Sequence, residues 1–232
     1  MATFLQLAQR TAKKSRTVGN GQPTTVLNQV GRLGDVVNCV SEAWTLIQNQ
    51  RNGWRFMVRE LGGGAGVTLL AGTSAFTPAA LGITDHAAWD PASLMTLRIA
   101  SDSSEPGPLP FMHWNDWRER YEVQAVNAAR PQHWTVRPYD EALMVGPTPD
   151  IAYLLRGPYQ RTVQTLAANA DVPLMPDRFH DIIMWRALQL LAEMDEAPPN
   201  YIGDVNRNYR EALFALERDM LPDIWIPGSP IA

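Results

Sequence analysis

The sequence predicts an α+β protein in which a mostly antiparallel β domain is inserted into a helical bundle. Apolar residues recur at helical spacing in residues 30–47, 176–194 and 201–220, whereas strand-like alternation bounded by glycine and proline dominates the middle of the chain. Neither helical part is large enough to bury its own apolar stripe, so the two should pack together. The predicted division is a helical bundle from residues 1–53 and 172–220, a β-rich insertion from 54–171, and an extended C-terminal tail, 221–232.

Composition is that of a globular chain: 232 residues, 45% hydrophobic and 19% charged. A net charge of −4 disfavours a general nucleic-acid binder that relies on a basic face. Apolar runs stay below the roughly 18 residues of a membrane span, and the N-terminus lacks the order of a signal peptide, so we expect no membrane association or export by such a signal. The one cysteine, Cys39, lies in a helical pattern and is expected in the core of a protein without disulfides.

The N-terminal elements have clear start and stop signals. Thr3 is suited to cap a short helix whose apolar face includes Phe4 and Leu7, and whose last turn is basic. After a loop at 17–29, a second helix of about five turns extends to residue 50, where Asn52 and Gly53 end it. This helix is the expected packing partner of the C-terminal helices.

The middle of the chain predicts strands separated by turns. Glycine and proline at 146–149 predict a hairpin between the last two strands. The glycine-rich stretch 62–66 lacks the Lys-Ser or Lys-Thr of a phosphate-binding loop and is interpreted as a flexible hairpin turn. The predicted strand runs are residues 54–59, 66–71, 93–99, 133–137, 141–145 and 151–161.

Two amphipathic helices close the chain. The first begins at Pro176 and Asp177 and ends before Pro198 and Pro199, and the second follows at Tyr201. A short proline-rich connection of this kind favours antiparallel packing of the two helices.

Residues that could carry catalysis are sparse and badly spaced. The four histidines, His86, His113, His133 and His180, show no metal-ligand spacing, and one cysteine adds little. His180 is adjacent to Asp181, but neighbours on a helix point in different directions, so we expect a polar or capping role. We therefore predict no catalytic residues, no metal, no cofactor and no enzymatic activity.

Aromatic residues are the informative excess, with eight tryptophans. Trp114, Trp117 and Tyr121 share one face of a short predicted helix at 110–122 and could stack on sugars or bases. Core and interface packing is the favoured interpretation, because tryptophan and tyrosine are enriched at protein interfaces. The interface candidates are Trp44, Trp54, Phe56, Trp114, Trp117 and Tyr121.

The tail is apolar but too rich in proline for a helix or a central strand. Such a segment is disordered, packs on its own fold, or docks as an extended peptide into another protein. In an extended peptide Ile224 and Ile226 would point one way and Trp225 the other, giving two anchoring faces.

The order of several motifs resembles the head-to-tail adaptor (connector, or neck) proteins of tailed bacteriophages. No single motif is specific, and the likeness, which extends over residues 3–195, depends on their order and spacing. The motifs are Phe4-Leu5-Gln6-Leu7, Pro23-Thr24-Thr25-Val26, Ala43-Trp44 with Gly53-Trp54-Arg55-Phe56-Met57, Trp117-Arg118 with Tyr121, 147–153, and 171–176 with Phe179-His180.

The resemblance implies a non-enzymatic ring, twelvefold, that binds beneath the portal protein. It implies that the ring extends the channel for double-stranded DNA without sequence-specific binding and offers a platform for a tail or tail-tube protein. The protein would lie in the neck of the virion after assembly in the host cytoplasm, with the helical stripes forming the wall against neighbouring subunits. The portal-docking tail would use Leu221, Ile224, Trp225, Ile226 and Ile231.

Two alternatives stay open from the sequence. A tail-completion or tail-tube protein of the same virion would need similar interface residues. A carbohydrate- or receptor-binding module would instead use exposed tryptophans between residues 114 and 134.

Overall fold

The computed structural model describes residues 1–15, 21–101, 106–124, 126–195 and 197–221. The chain divides into two compact units, a helical unit of Met1–Met57 with Val163–Ala232 and a β unit of Val58–Thr162. The β unit is shorter at both ends than residues 54–171, because Trp54 and Met57 before it and Leu166 and Met175 after it belong to the core of the helical unit.

Helices and antiparallel sheets together confirm the predicted α+β class. The described residues contain five α-helices: α1 (Phe4–Lys14), α2 (Gly31–Asn49), α3 (Trp114–Arg118), α4 (Asp181–Met194) and α5 (Pro199–Met220). They also contain ten strands: β1 (Val58–Glu60), β2 (Val67–Leu69), β3 (Ala75–Phe76), β4 (His86–Ala88), β5 (Met95–Ile99), β6 (Gly107–Leu109), β7 (His133–Val136), β8 (Leu143–Gly146), β9 (Tyr153–Arg156) and β10 (Pro158–Arg161).

The start of α1 is capped as the sequence predicts. The Thr3 hydroxyl accepts a hydrogen bond from the Gln6 backbone N–H at 3.3 Å, and the Gln6 side-chain oxygen accepts one from the Thr3 N–H at 3.2 Å. This reciprocal pair satisfies two amides that a helix otherwise leaves without partners. Phe4 and Leu7 then point into the core.

The two C-terminal helices pack antiparallel. The Gln189 side chain donates to Asn206 at 2.7 Å, and Arg178, ahead of α4, pairs with Asp219 near the end of α5 at 2.9 Å. The first helix begins later than predicted, at Asp181, because Asp177–Phe179 form a 3₁₀ turn.

The apolar stripes of α2, α4 and α5 are buried in a single core inside the helical unit. Their outer faces remain exposed. Any wall between subunits must therefore use those outer faces rather than the stripes, because the stripes already pack on each other.

Two glutamines connect α2 to the chain that returns from the β unit; we call them the glutamine clamp. Gln48 Nε2 donates to the Gln164 carbonyl at 2.9 Å, and the Gln164 N–H donates to Gln48 Oε1 at 2.8 Å. The Gln164 side chain accepts from Trp44 Nε1 at 3.1 Å and donates to the Val172 carbonyl at 2.9 Å. The clamp fixes the returning segment on the end of α2.

The described strands of the β unit form three antiparallel sheets, with the orders β1-β10-β4, β2-β9-β5-β6 and β3-β8-β7. Val58 of β1 pairs with Gln160 of β10, so the chain enters and leaves this unit on neighbouring strands. This pairing explains how a β domain can be inserted into a helical unit.

Two turn predictions are wrong. The hairpin expected across residues 146–149 does not form, because β8 pairs with β3 and β7 whereas β9 pairs with β2 and β5. The glycine stretch 62–66 likewise joins β1 to β2, which lie in different sheets. Both segments are connections between sheets, and local turn signals do not reveal which strands pair.

One carboxylate ties together three parts of the sheet that contains β1 and β10. Asp85 accepts a hydrogen bond from the Tyr159 hydroxyl at 2.8 Å and pairs with Arg59 at 2.9 Å and with Arg161 at 3.3 Å. Burial opposes ionisation of Asp85, but the hydrogen bonds from Tyr159 and Arg59 and the two arginine charges outweigh it and lower its pKa.

Asp85→Asn should destabilise the protein by about 1–3 kcal/mol at pH 7, because the substitution leaves two arginines near a neutral amide. A pKa lowered on folding stabilises the protein above the ordinary carboxylate pKa, and this contribution is lost as the pH falls through the folded-state pKa. The difference between the variant and the wild type should therefore shrink below about pH 4. Urea unfolding of both proteins at a series of pH values measures this difference in the free energy of unfolding.

The matched control is Asp204→Asn, since Asp204 pairs with Arg207 at 2.9 Å on an exposed helix surface. Exposed pairs contribute little, so this variant should unfold like the wild type. The role assigned to Asp85 would be contradicted if the two variants lost the same free energy of unfolding. It would also be contradicted if the stability lost in Asp85→Asn did not depend on pH.

Candidate interaction surfaces

Four rings of the β unit contact one another in succession, and we call them the aromatic ladder: Trp114, Trp117, Tyr121 and His133. The Trp114 and Trp117 rings lie 5.6 Å apart and nearly parallel, at 9°. Tyr121 follows 5.7 Å from Trp117, and its hydroxyl is 2.8 Å from His133 Nδ1. The ladder extends from α3 through a following π-helical turn to β7.

Gly146 packs directly against two rings of the aromatic ladder. A Cβ added at Gly146 would lie 2.5 Å from the Tyr121 ring and 2.8 Å from Trp117 Nε1, so only glycine admits the two rings. Trp117 is 2% exposed, and Trp114 and Tyr121 are half-buried. Burial lowers the pKa of His133 and raises that of Tyr121, which favours the neutral forms of both.

Trp114 is therefore the tryptophan that this ladder presents to solvent. Trp117 and Tyr121 support it from behind, and the Arg118 guanidinium lies 5.9 Å from its ring. Of the three tryptophans between residues 114 and 134, Trp117 and Trp134 are buried, so only Trp114 offers a carbohydrate an accessible face.

The other three predicted interface candidates lie in the helical unit. Trp44 and Trp54 are fully buried, and each indole N–H has a partner, Gln164 for Trp44 and the Ile47 carbonyl for Trp54. Phe56 stacks on both, at 5.8 Å and 5.5 Å, and is half-buried. Trp44 and Trp54 serve the core of this unit, and Phe56 alone of the three reaches its surface.

Phe56 borders a groove at the end of α5, which we call the C-terminal groove. Its volume is about 410 Å³, and most of its lining residues are apolar. Leu221, the first residue after α5, packs partly buried against the core with an extended backbone. The apolar lining residues include Phe56, Pro173, Leu174, Met175, Pro176 and Met220.

Of the predicted portal-docking residues, Leu221 is described, and it packs partly buried against the core of the helical unit. The other four lie outside the described residues: Ile224, Trp225, Ile226 and Ile231.

The outer face of α5 is a surface that the sequence analysis did not single out. Arg207, Arg210 and Arg218 are exposed there around Phe214, whose exposure is 67%. Asp204 pairs with Arg207 at 2.9 Å and Asp219 with Arg218 at 3.4 Å, so this face combines paired charges with an exposed aromatic ring. The spacing of the arginines along one helix would have revealed it.

A second groove lies between α1, α4 and α5 and has a volume of about 630 Å³. Arg10, Lys13 and Lys14 line one side of it, and Lys14 Nζ lies 3.8 Å from the centre of the Trp185 ring. This groove therefore combines cations with an aromatic surface.

The histidine next to α4 is structural, as the sequence predicts. His180 is 1% exposed, its Nε2 is 3.0 Å from the Met175 carbonyl, and its Nδ1 is 3.3 Å from the Ala2 N–H. Cys39 is also buried, and burial raises the pKa of its thiol to about 11.

Within the described ranges, no group of three or more histidine, cysteine, aspartate or glutamate side chains is arranged to hold a metal ion. None of the helices in the described part of the chain has the length and apolarity needed to cross a membrane.

Comparison with known families decides the relationship. A family model described as SU10 adaptor protein matches residues 2–224. The chain belongs to this family. The match confirms the resemblance to phage head-to-tail adaptors, and an adaptor family of this kind is structural rather than enzymatic and is found in the virion. No curated protein matches the sequence.

Gly146→Ala should release the aromatic ladder, because the new methyl group would collide with the Tyr121 and Trp117 rings. We expect a loss of about 1–3 kcal/mol in the free energy of unfolding and faster acrylamide quenching of tryptophan fluorescence. The control is Gly203→Ala on α5, where an added Cβ has no neighbour within 4 Å. That variant should be as stable as the wild type or slightly more stable. If both variants show the same free energy of unfolding and the same acrylamide quenching, Gly146 does not hold the rings of the aromatic ladder in place.

Proposed function

We propose that this protein is a head-to-tail adaptor that forms a twelvefold ring beneath the portal protein. The ring extends the channel for double-stranded DNA and provides the platform on which a tail or tail-tube protein attaches. The observation that carries the proposal is the match to the SU10 adaptor protein family over residues 2–224, which includes both units. Assembly takes place in the host cytoplasm, and the ring then resides in the neck.

A closed ring needs a heterologous contact, in which one face of a subunit meets a different face of its neighbour. The outer face of α5 suits one side of that contact. Phe214 supplies an exposed aromatic group among Arg207, Arg210 and Arg218, and aromatic residues and arginine are both enriched at protein interfaces. Trp114 offers a comparable contact point on the β unit.

The tail is the proposed contact with the portal. It begins at Leu221 in the sequence and includes Ile224, Trp225, Ile226 and Ile231. An extended peptide of this composition can dock by placing alternate side chains in pockets of the partner.

The proposed role needs no catalysis and no tight hold on DNA. A protein with a net charge of −4 gains little from counterion release on a DNA backbone, so DNA can move through a ring of such subunits. We therefore assign the protein no enzymatic activity, cofactor or sequence-specific DNA binding.

Removal of residues 222–232 should abolish binding to the portal protein of the same particle and leave the fold intact. Leu221 and its core contacts are retained in this truncated chain, so its circular dichroism and thermal unfolding should match those of the full chain. Sedimentation velocity with purified portal measures the binding: the full chain should co-sediment as a ring-sized complex, and the truncated chain should stay small.

The control for this experiment is Leu70→Ser, which changes an exposed side chain of the β unit and leaves the tail untouched; it should still co-sediment. If the truncated chain binds the portal protein with unchanged affinity, the proposed role of the tail in portal binding is wrong. A full chain that does not bind the portal but binds the tail tube would favour the tail-completion or tail-tube alternative. Glycan binding by the full chain that is lost in Trp114→Ala would favour the carbohydrate-binding alternative.

A further inference from the structure

The groove between α1, α4 and α5, which we call the basic groove, combines apolar side chains with cations. Met184, Leu188 and Val205 line it beside the Trp185 ring, and its volume is about 630 Å³. Lys14 lies over one face of that ring. A groove of this kind suits an apolar side chain that is accompanied by carboxylates, because surfaces of opposite charge attract each other at an interface.

The charges in the basic groove do not cancel. The charged side chains that line it are Arg10, Lys13, Lys14 and Asp204. Arg10 pairs with Asp181 at 3.0 Å, and Asp204 pairs with Arg207 at 2.9 Å. Both lysines are exposed, and neither has an ion-pair partner among the described residues. The groove therefore carries two positive charges that a partner can neutralise.

A second surface of the helical unit has the opposite character, and it lies where α4 ends. Met194, the last residue of α4, is 59% exposed, and its sulfur is 3.8 Å from the Cys39 sulfur of α2. We call this residue the methionine knob. A methionine side chain is flexible and makes favourable sulfur contacts with aromatic rings. Its exposure leaves it available to a partner.

Two carboxylates of α2 lie close to the methionine knob. Asp35 precedes Cys39 by four residues and Glu42 follows it by three, so both lie next to Cys39 on the helix surface. Burial raises the pKa of the Cys39 thiol, and the charges of Glu42 and Asp35 raise it further, which places both near the sulfur that contacts Met194. Neither carboxylate has an ion-pair partner within the described part of the chain.

The remaining charges near the methionine knob leave this surface negative. Asp195 forms an ion pair with Arg32, so these two largely cancel. Glu193, which precedes Met194 on α4, is exposed and adds a further carboxylate. The surface around the knob is therefore acidic where the basic groove is cationic.

We propose that the basic groove of one subunit receives the methionine knob of a second copy of this chain, with Met194 seated between Trp185 and Leu188. Opposite charge on two surfaces of the same chain favours a second copy as the occupant. The described lining of the groove contains no residue of the knob, so the contact is heterologous. Each subunit can then bind one neighbour through its groove and another through its knob.

The inference rests on the proposed function, because it identifies the contact that joins neighbours in the proposed ring. The basic groove adjoins the outer face of α5, since Asp204 lines the groove and pairs with Arg207 of that face. One side of the contact therefore contains the groove and extends toward Phe214, and the other side contains the methionine knob.

The test joins the two surfaces with a flexible bismaleimide cross-linker in the full chain. Asn38→Cys places a thiol on the exposed side of α2 next to Cys39, and Asn208→Cys places one in the basic groove. The wild type is the blank, because Cys39 is buried and its raised pKa keeps the thiol protonated. A chain with both substitutions should give a ladder of cross-linked species. Each single variant should stay monomeric, and a mixture of the two single variants should stop at dimers.

Substitutions at the contact are then made in the chain with both cysteines. Met194→Lys brings a cation to the basic groove and should lower the yield of the ladder at least about tenfold, because like charges oppose association. Lysine suits the last turn of a helix, and circular dichroism should show an unchanged fold. Leu94→Lys is the matched control, since Leu94 is 68% exposed on the β unit, and it should leave the ladder unchanged.

A charge reversal tests the same contact without changing the methionine knob. Lys13→Glu should reduce the yield of the ladder, because it removes one of the two unpaired cations of the basic groove. Glu42→Lys, added to Lys13→Glu in the same chain, should restore the yield, because the two surfaces are then again opposite in charge at these positions.

Four results would overturn the proposal: no ladder with or without portal, a chain with both cysteines that stops at dimers, a ladder that Met194→Lys leaves unchanged, or cross-linking of Asn208→Cys to the portal instead of a second copy. The last result would assign the basic groove to the portal. A ladder formed by a protein that no portal binds would keep the contact and reject the adaptor role. Portal binding by a protein that forms no ladder would do the reverse.

Discussion

The glutamine clamp is the interaction on which the helical unit depends. Gln48 and Gln164 exchange two hydrogen bonds, and the side chain of Gln164 also satisfies the indole N–H of Trp44. These groups are largely buried, and a buried amide without a partner costs about 1–3 kcal/mol. The clamp thus determines where the returning chain lies, and apolar packing alone would not fix its register.

The returning segment then positions several other parts of the unit. Asn169 accepts a hydrogen bond from the Val26 N–H at 2.7 Å, and the Asp171 carbonyl accepts one from the Phe4 N–H at 2.7 Å, which holds the start of α1. The residues that follow, from Val172 to Pro176, form a wall of the C-terminal groove. The C-terminal groove is therefore a consequence of how the chain re-enters the helical unit.

Sequence periodicity predicted the helices well because each combines a long apolar stripe with end signals, as at Thr3 and Pro199. It failed where structure depends on distant partners. Strands β3, β4 and β6 have only two or three residues each, too few to show alternation, and the expected hairpin after β8 is replaced by pairing between other strands. Tryptophan content likewise could not separate the buried Trp44 from the accessible Trp114, since both lie in helices and only tertiary packing decides which is covered. The C-terminal groove is formed by residues near positions 56, 174 and 220, which are far apart in the sequence, so no local sequence pattern predicts it.

The most direct test of the account is a cryo-EM reconstruction of the neck of the particle that carries this protein. The account predicts density for both units of this chain in a ring of twelve copies immediately beneath the portal, with the segment after Leu221 extended into the portal. A reconstruction that places this fold in the tail tube, or contains no copy of it between portal and tail, would contradict the adaptor assignment.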